Sequence, residues 1–148
     1  MGLKRAVKII GITILALFLV LTGIIIILFI FARAADDMAL RRYRVEILEQ
    51  MELPADTVAV EVVSDCGNTG GTGNHTELYV AVLLKTDLSE SAFREYYPHA
   101  LEAEEHGWET WSMGCVGVSF KEQQAEGKYY ILEFIESAPW GDLDLRGH

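Results

Sequence analysis

Basic residues are scarce over most of this chain. From Leu53 onward 17 Asp and Glu stand against 5 Lys and Arg, a net of −12, within an overall balance of −10. So acidic a segment repels phosphate backbones, which argues against nucleic acid as a ligand. The acids are scattered, so solubility accounts for them. Attraction to cationic partners or divalent ions is the sharper alternative. There are no internal repeats and no low-complexity tracts. Also missing are an H-E-x-x-H motif, a nucleophile elbow, and any Ser, His and acid set at a recognisable spacing. The residues therefore point to no catalysis and imply no cofactor.

Charge is absent altogether between Ile9 and Ala32. Lys4, Arg5 and Lys8 precede this run and Arg33 follows it. As a helix its 24 residues are roughly 36 Å long, enough to cross a hydrocarbon layer of about 30 Å with some tilt. Thr13 and Thr22 fit there because their hydroxyls can return to a carbonyl one turn back. Gly11 and Gly23 are too far apart to form a G-x-x-x-G contact face. A soluble buried helix is disfavoured, since about 18 consecutive apolar residues already mark a membrane span. A cleaved signal peptide competes, because Ala32-Arg33-Ala34 has the A-x-A form. Its apolar region would be only about 7–15 residues, so the length favours an uncleaved signal anchor.

The basic residues at the two ends of the run nearly balance, with Lys4, Arg5 and Lys8 against Arg33, Arg41, Arg42 and Arg44. A long following domain crosses largely regardless of charge. The expected arrangement is a cytoplasmic N-terminus over residues 1–8, a single cell-membrane span over 9–32 and a C-terminal domain outside the cytoplasm.

Neither Gly nor Pro interrupts the chain from Ala32 to Met51. Leu40, Tyr43, Ile47 and Met51 recur at helical spacing, so the span is expected to continue as a stalk over 33–53, ended by Pro54. Arg41, Arg42 and Arg44 would lie about 12–17 Å beyond the membrane edge. There they would meet lipid phosphates, or else pair with Asp37, Glu46 and Glu49.

Thr57–Cys66 and His75–Thr86 read as two strands, the second with Leu78, Val80, Val82 and Leu84 on one face. The glycine-rich connection 67–74 lacks the Lys-Ser/Thr of a nucleotide loop. Asp87 or Ser89 opens a helix carrying Leu88, Ala92, Phe93, Tyr96 and Tyr97, with Pro98 kinking or restarting it and Gly107 stopping it. Trp108–Phe120 and Lys128–Glu136 read as two further strands, and residues 139–148 as a short polar tail with little order. The fold class expected is α+β: a transmembrane helix and helical stalk, then over 54–138 a small antiparallel four-stranded sheet in ββαββ order with a helix on one face.

Cys66 and Cys115 are the only cysteines. Cys66 shares the parity of Val58, Val60 and Val62. A disulfide to Cys115 would close a loop of about 50 residues and contribute roughly 3–4 kcal/mol. It would need an oxidising compartment, which agrees with export. Glu102 and His106 are four apart and would share a helix face, so they are the metal-ligand candidates, with His75 or His99 completing the set. The reading is a membrane-anchored binding module for the bilayer and another membrane or surface protein. A metal-assisted tethered enzyme and a ligand sensor are the alternatives; the eight-residue cytoplasmic end is too short for an output domain.

Overall fold

The computed structural model describes residues 2–68, 75–103, 109–111, 117–121 and 127–147. It opens on a 48-residue helix, α1 (Leu3–Gln50). This helix is long and apolar enough to cross a membrane and lies near the N-terminus. Its two threonines behave as expected: Thr13 donates to the Ile9 carbonyl at 3.0 Å and Thr22 to that of Phe18 at 2.9 Å. Large apolar side chains stay bare from Val7 to Phe31, whereas Ile47 is buried and Leu40, Tyr43 and Met51 pack beside it. One helix thus has two environments. Its first half buries nothing, and its second half supplies one wall of a core. Met51 turns to extended backbone and ends it, three residues before Pro54.

Strands β1 (Thr57–Gly67) and β2 (Glu77–Thr86) pair antiparallel, and β2 pairs antiparallel with β6 (Lys128–Ser137). Helix α2 (Glu90–Tyr96) follows β2, and β3 (Leu101–Glu102) joins the free edge of β6. The sheet order is β1-β2-β6-β3, the antiparallel four-stranded sheet of an α+β fold. β2 is buried from Leu78 to Leu84 because both sheet faces are covered. On one face Val80, Val82, Leu84, Tyr130 and Leu132 meet Ile47 of α1 and Phe93 of α2. On the other Tyr79, Ala81, Leu83, Tyr129 and Ile131 meet Phe120 and Ala103. Both faces being apolar explains why β2 reads as an almost continuous hydrophobic run.

Several local expectations are revised. The register of β1 shifts between Ala59 and Glu61. A bulge there inserts one extra residue and reverses the alternation. Val60 therefore packs on the Tyr79 side while Val62 packs on the α1 side. The α2 helix stops at Tyr96 instead of kinking through Pro98, since the residue before a proline avoids the helical region. Ser89, not Asp87, is its cap, accepting from the Ala92 N–H at 3.3 Å. The fourth strand of the sheet is β3 rather than the segment 108–120. That segment contains β4 (Glu109–Trp111) and β5 (Gly117–Ser119), which pair with each other as a separate ribbon.

The C-terminal segment is ordered as well. It makes two 3-10 turns, Gly141–Leu143 and Leu145–Gly147. It docks against α1 and the start of β2, with Ala138 N–H donating to the Thr76 carbonyl at 2.9 Å.

Candidate functional site

Two places gather side chains of chemical interest. The first lies where three segments distant in sequence converge. Asp36 comes from α1, four residues beyond Ala32; Cys66 comes from the penultimate position of β1; Asp144 sits between the two 3-10 turns. All three are buried, and one ligand-type atom of each lies within 4.8 Å of the others. Cys66 pairs with Leu78, placing it on the sheet face that α1 covers.

Arg146 closes this cluster. Its Nη2 donates to Asp144 Oδ2 at 2.5 Å, its Nε to Asp144 Oδ1 at 3.0 Å, and its Nη1 to Asp37 Oδ1 at 2.6 Å. The Trp140 N–H donates to Asp36 Oδ1 at 2.9 Å, but Asp36 Oδ2 is buried without a partner.

Burial pushes the Asp36 carboxyl above the ordinary carboxylate range, and the neighbouring Asp144 adds to this against the opposing pull of the Trp140 N–H and Arg146. Burial also works to raise Asp144, but its bonds from Arg146 overcome that and leave it below the usual range. Burial pushes the Cys66 thiol up to about 12, so the sulfur stays protonated at neutral pH. These three residues have donor types that could hold a metal ion. Both Asp144 oxygens already accept from Arg146, however, so an ion would compete with the guanidinium for them. Raised for Asp36 and lowered for Asp144, the two shifts favour protonation of Asp36 while Asp144 keeps its charge against Arg146.

The second place is a cleft of about 580 Å³ between the end of α1, the end of α2 and β6. Tyr43, Ile47, Met51, Tyr96, Tyr97 and Phe134 give it an aromatic and aliphatic lining, with Glu52 at its edge. The Tyr97 hydroxyl donates to the Glu52 carbonyl and ties the end of α2 to the exit of α1. Tyr96 is 60% exposed, an unusual position for so large a ring.

The residues that the sequence singled out are only partly within the described residues. Glu102 lies in β3 opposite Tyr130, and His106 lies outside the described residues. His75 is 3.4 Å from Glu77, which pairs with Ser137. His99 precedes Leu101, which pairs with Ile131, six residues and roughly 20 Å farther along β6. Cys66 is a free, buried thiol, and Cys115, the disulfide partner suggested above, lies outside the described residues. Arg5 and Lys8 are exposed near the start of α1, where Lys4 also lies. Arg41, Arg42 and Arg44 are exposed and have no ion pair among the described residues; Asp37 pairs with Arg146 instead.

Sequence reasoning missed Asp36, Asp144 and Arg146. Adjacent acids directly after an uncharged helix were the one available signal, since that is a costly place for a carboxylate unless it has partners. No family model, curated protein or solved structure matches this chain.

Proposed function

We propose that the protein is a single-pass, membrane-anchored binding module without catalysis, and that its domain presents the aromatic cleft to a segment of another protein outside the cytoplasm. Two observations support retention of the anchor. Phe31 packs on Trp140, and the Arg33 carbonyl accepts from Arg146. Phe31 and Arg33 both lie before Ala34, so a cut after Ala34 would forfeit these contacts. The backbone at those residues is also helical, while nicking concentrates in exposed, irregular chain.

The cleft is the observation that carries the binding assignment. Tyrosine and methionine are enriched where proteins meet, and an apolar floor with an acidic edge suits an apolar side chain flanked by a basic one. Catalysis is a poorer fit, because Asp36, Cys66 and Asp144 are sealed at 0%, 2% and 1% exposure, beyond the reach of a substrate.

A photo-activatable amino acid in place of Tyr96 tests the reading in intact membranes. It should give a discrete cross-linked partner that is lost when Phe134 is also changed to Asp. Cross-linking to lipid alone, or to nothing, would overturn it.

A further inference from the structure

We propose that the C-terminal segment, residues 139–147, is an interfacial wedge that seats the domain directly on the bilayer surface through Trp140, Leu143 and Leu145. This rests on the reading of α1 as a membrane span, and it adds that the domain does not float above the membrane on a bare stalk.

The argument is one of depth. Phe31 is the penultimate residue of the uncharged run. The Trp140 ring meets it edge-on, with ring centroids 5.4 Å apart at 85°. A ring held there lies level with the end of the span, where indole and phenol side chains settle in the headgroup region. Farther along the segment, Asp144, Leu145 and Arg146 line a cavity of about 390 Å³ together with Phe29, Ile30 and Arg33 of α1. Phe29 lies about 4.5 Å below Ala32 along the helix, so this cavity runs from the height of Arg33 down to the outer end of the span.

The segment's own surface agrees. Trp140 is 41% exposed, Leu143 37% and Leu145 62%; of the two acids Asp144 is turned inward onto Arg146, and Asp142 is exposed, as the polar headgroup region allows. In water those three side chains would be stranded. At a lipid surface continuous with the bare half of α1 they have a partner. The polar requirements of the turns are met from within: Asp36 accepts from the Trp140 N–H, and Thr76 donates to the Gly141 carbonyl at 3.2 Å. The segment can therefore sit among lipid headgroups without leaving its docking groups unpaired. Arg33, exposed beside the cavity, stands at the height of lipid phosphates, which suits a long cationic side chain.

Depth-resolved fluorescence quenching tests this in the full chain reconstituted into phosphatidylcholine vesicles. With Trp108 and Trp111 changed to Phe, Trp140 is the only indole. Its emission should be blue-shifted and strongly quenched by lipids brominated near the headgroup, and less by lipids brominated deep in the chains. A second protein, with all three native tryptophans changed to Phe and Ile25→Trp, reports the span and should be quenched by the deep bromines. Changing Leu143 and Leu145 to Ser alters exposed positions, so folding should survive; it should shift the Trp140 emission to the red and weaken its quenching.

Quenching at Ile25→Trp but not at Trp140 would overturn the wedge and leave the span intact. Quenching at neither position would overturn both. Quenching of Trp140 that is indifferent to the Leu143 and Leu145 changes would overturn the role given to those side chains.

Discussion

The main-chain N–H of Trp140 donates to Oδ1 of Asp36 at 2.9 Å, joining positions 104 residues apart. Through it the start of the first C-terminal 3-10 turn is fixed to the first turn of α1 beyond the uncharged run. The other carboxylate oxygen of Asp36 has no partner, so one residue both anchors this junction and weakens it.

Replacing Asp36 with Asn keeps an acceptor for Trp140 and puts an amide donor where the unpaired oxygen faces Asp144. An unpaired buried polar atom costs about 1–3 kcal/mol, so the variant should be more stable than the parent at neutral pH by about 1 kcal/mol. The sign with pH follows from the raised Asp36 pKa. The folded state holds its proton more tightly than the unfolded chain, so this group favours folding most below its ordinary pKa of 3.8. That contribution is lost as pH rises through the higher, folded value. The advantage of Asp36→Asn should therefore shrink on acidification. Denaturant titrations of the full chain in nanodiscs at pH 4 and pH 7 measure it. An advantage that grows in acid would show that Asp36 is ionised and well paired.

Arg146→Ala should be far more damaging. It leaves Asp144, 1% exposed at its side chain, without its cation and also releases Asp37. Breaking one side of a buried pair costs about 3–5 kcal/mol, and the partial exposure of Arg146 places this site near the lower figure. Adding Asp144→Asn should recover part of the loss by removing the stranded charge. Asp144 itself, held below its usual pKa, contributes stability above the ordinary carboxylate range and loses it as pH falls through the folded value. A double-mutant cycle on unfolding free energies checks the coupling; additive losses would refute it.

Gly141 has no room for a side chain. A Cβ there would stand 2.8 Å from both the amide nitrogen and the carbonyl oxygen of Thr76, and backbone has little freedom to yield. Gly141→Ala should release the C-terminal segment at a cost of about 1–3 kcal/mol while leaving the sheet intact. Faster proteolysis after Trp140 with unchanged far-ultraviolet dichroism is the expected pattern. Parent-like resistance would mean that the segment docks by other contacts.

Cys66 should resist alkylation. Its thiol is buried and held protonated by that burial, with a pKa of about 12, and only the thiolate is nucleophilic. Maleimide should label it only after unfolding, as read by mass spectrometry of the peptide that contains it. Rapid labelling of the folded chain would show that the cluster opens readily.

The sequence by itself determined the membrane-length helix, its continuation to Gln50 and the three long strands β1, β2 and β6. Each of these is a local matter: charge absent from Ile9 to Ala32, apolar side chains at helical spacing from Leu40 to Met51, β-branched runs in β1 and β2. Spacing carries that information because a backbone has only a few regular conformations. The bulge at Val60, the division of 108–120 into two short strands and the exchange of β3 into the sheet were decided by pairing with distant chain. The site was decided the same way. Asp36, Cys66, Asp144 and Arg146 span 110 positions and share no periodicity, so nothing in the order of residues brings them together. The docking of Gly141 on Thr76 and of Trp140 on Phe31 does so, because a buried carboxylate and an unpaired turn are each too costly to leave alone.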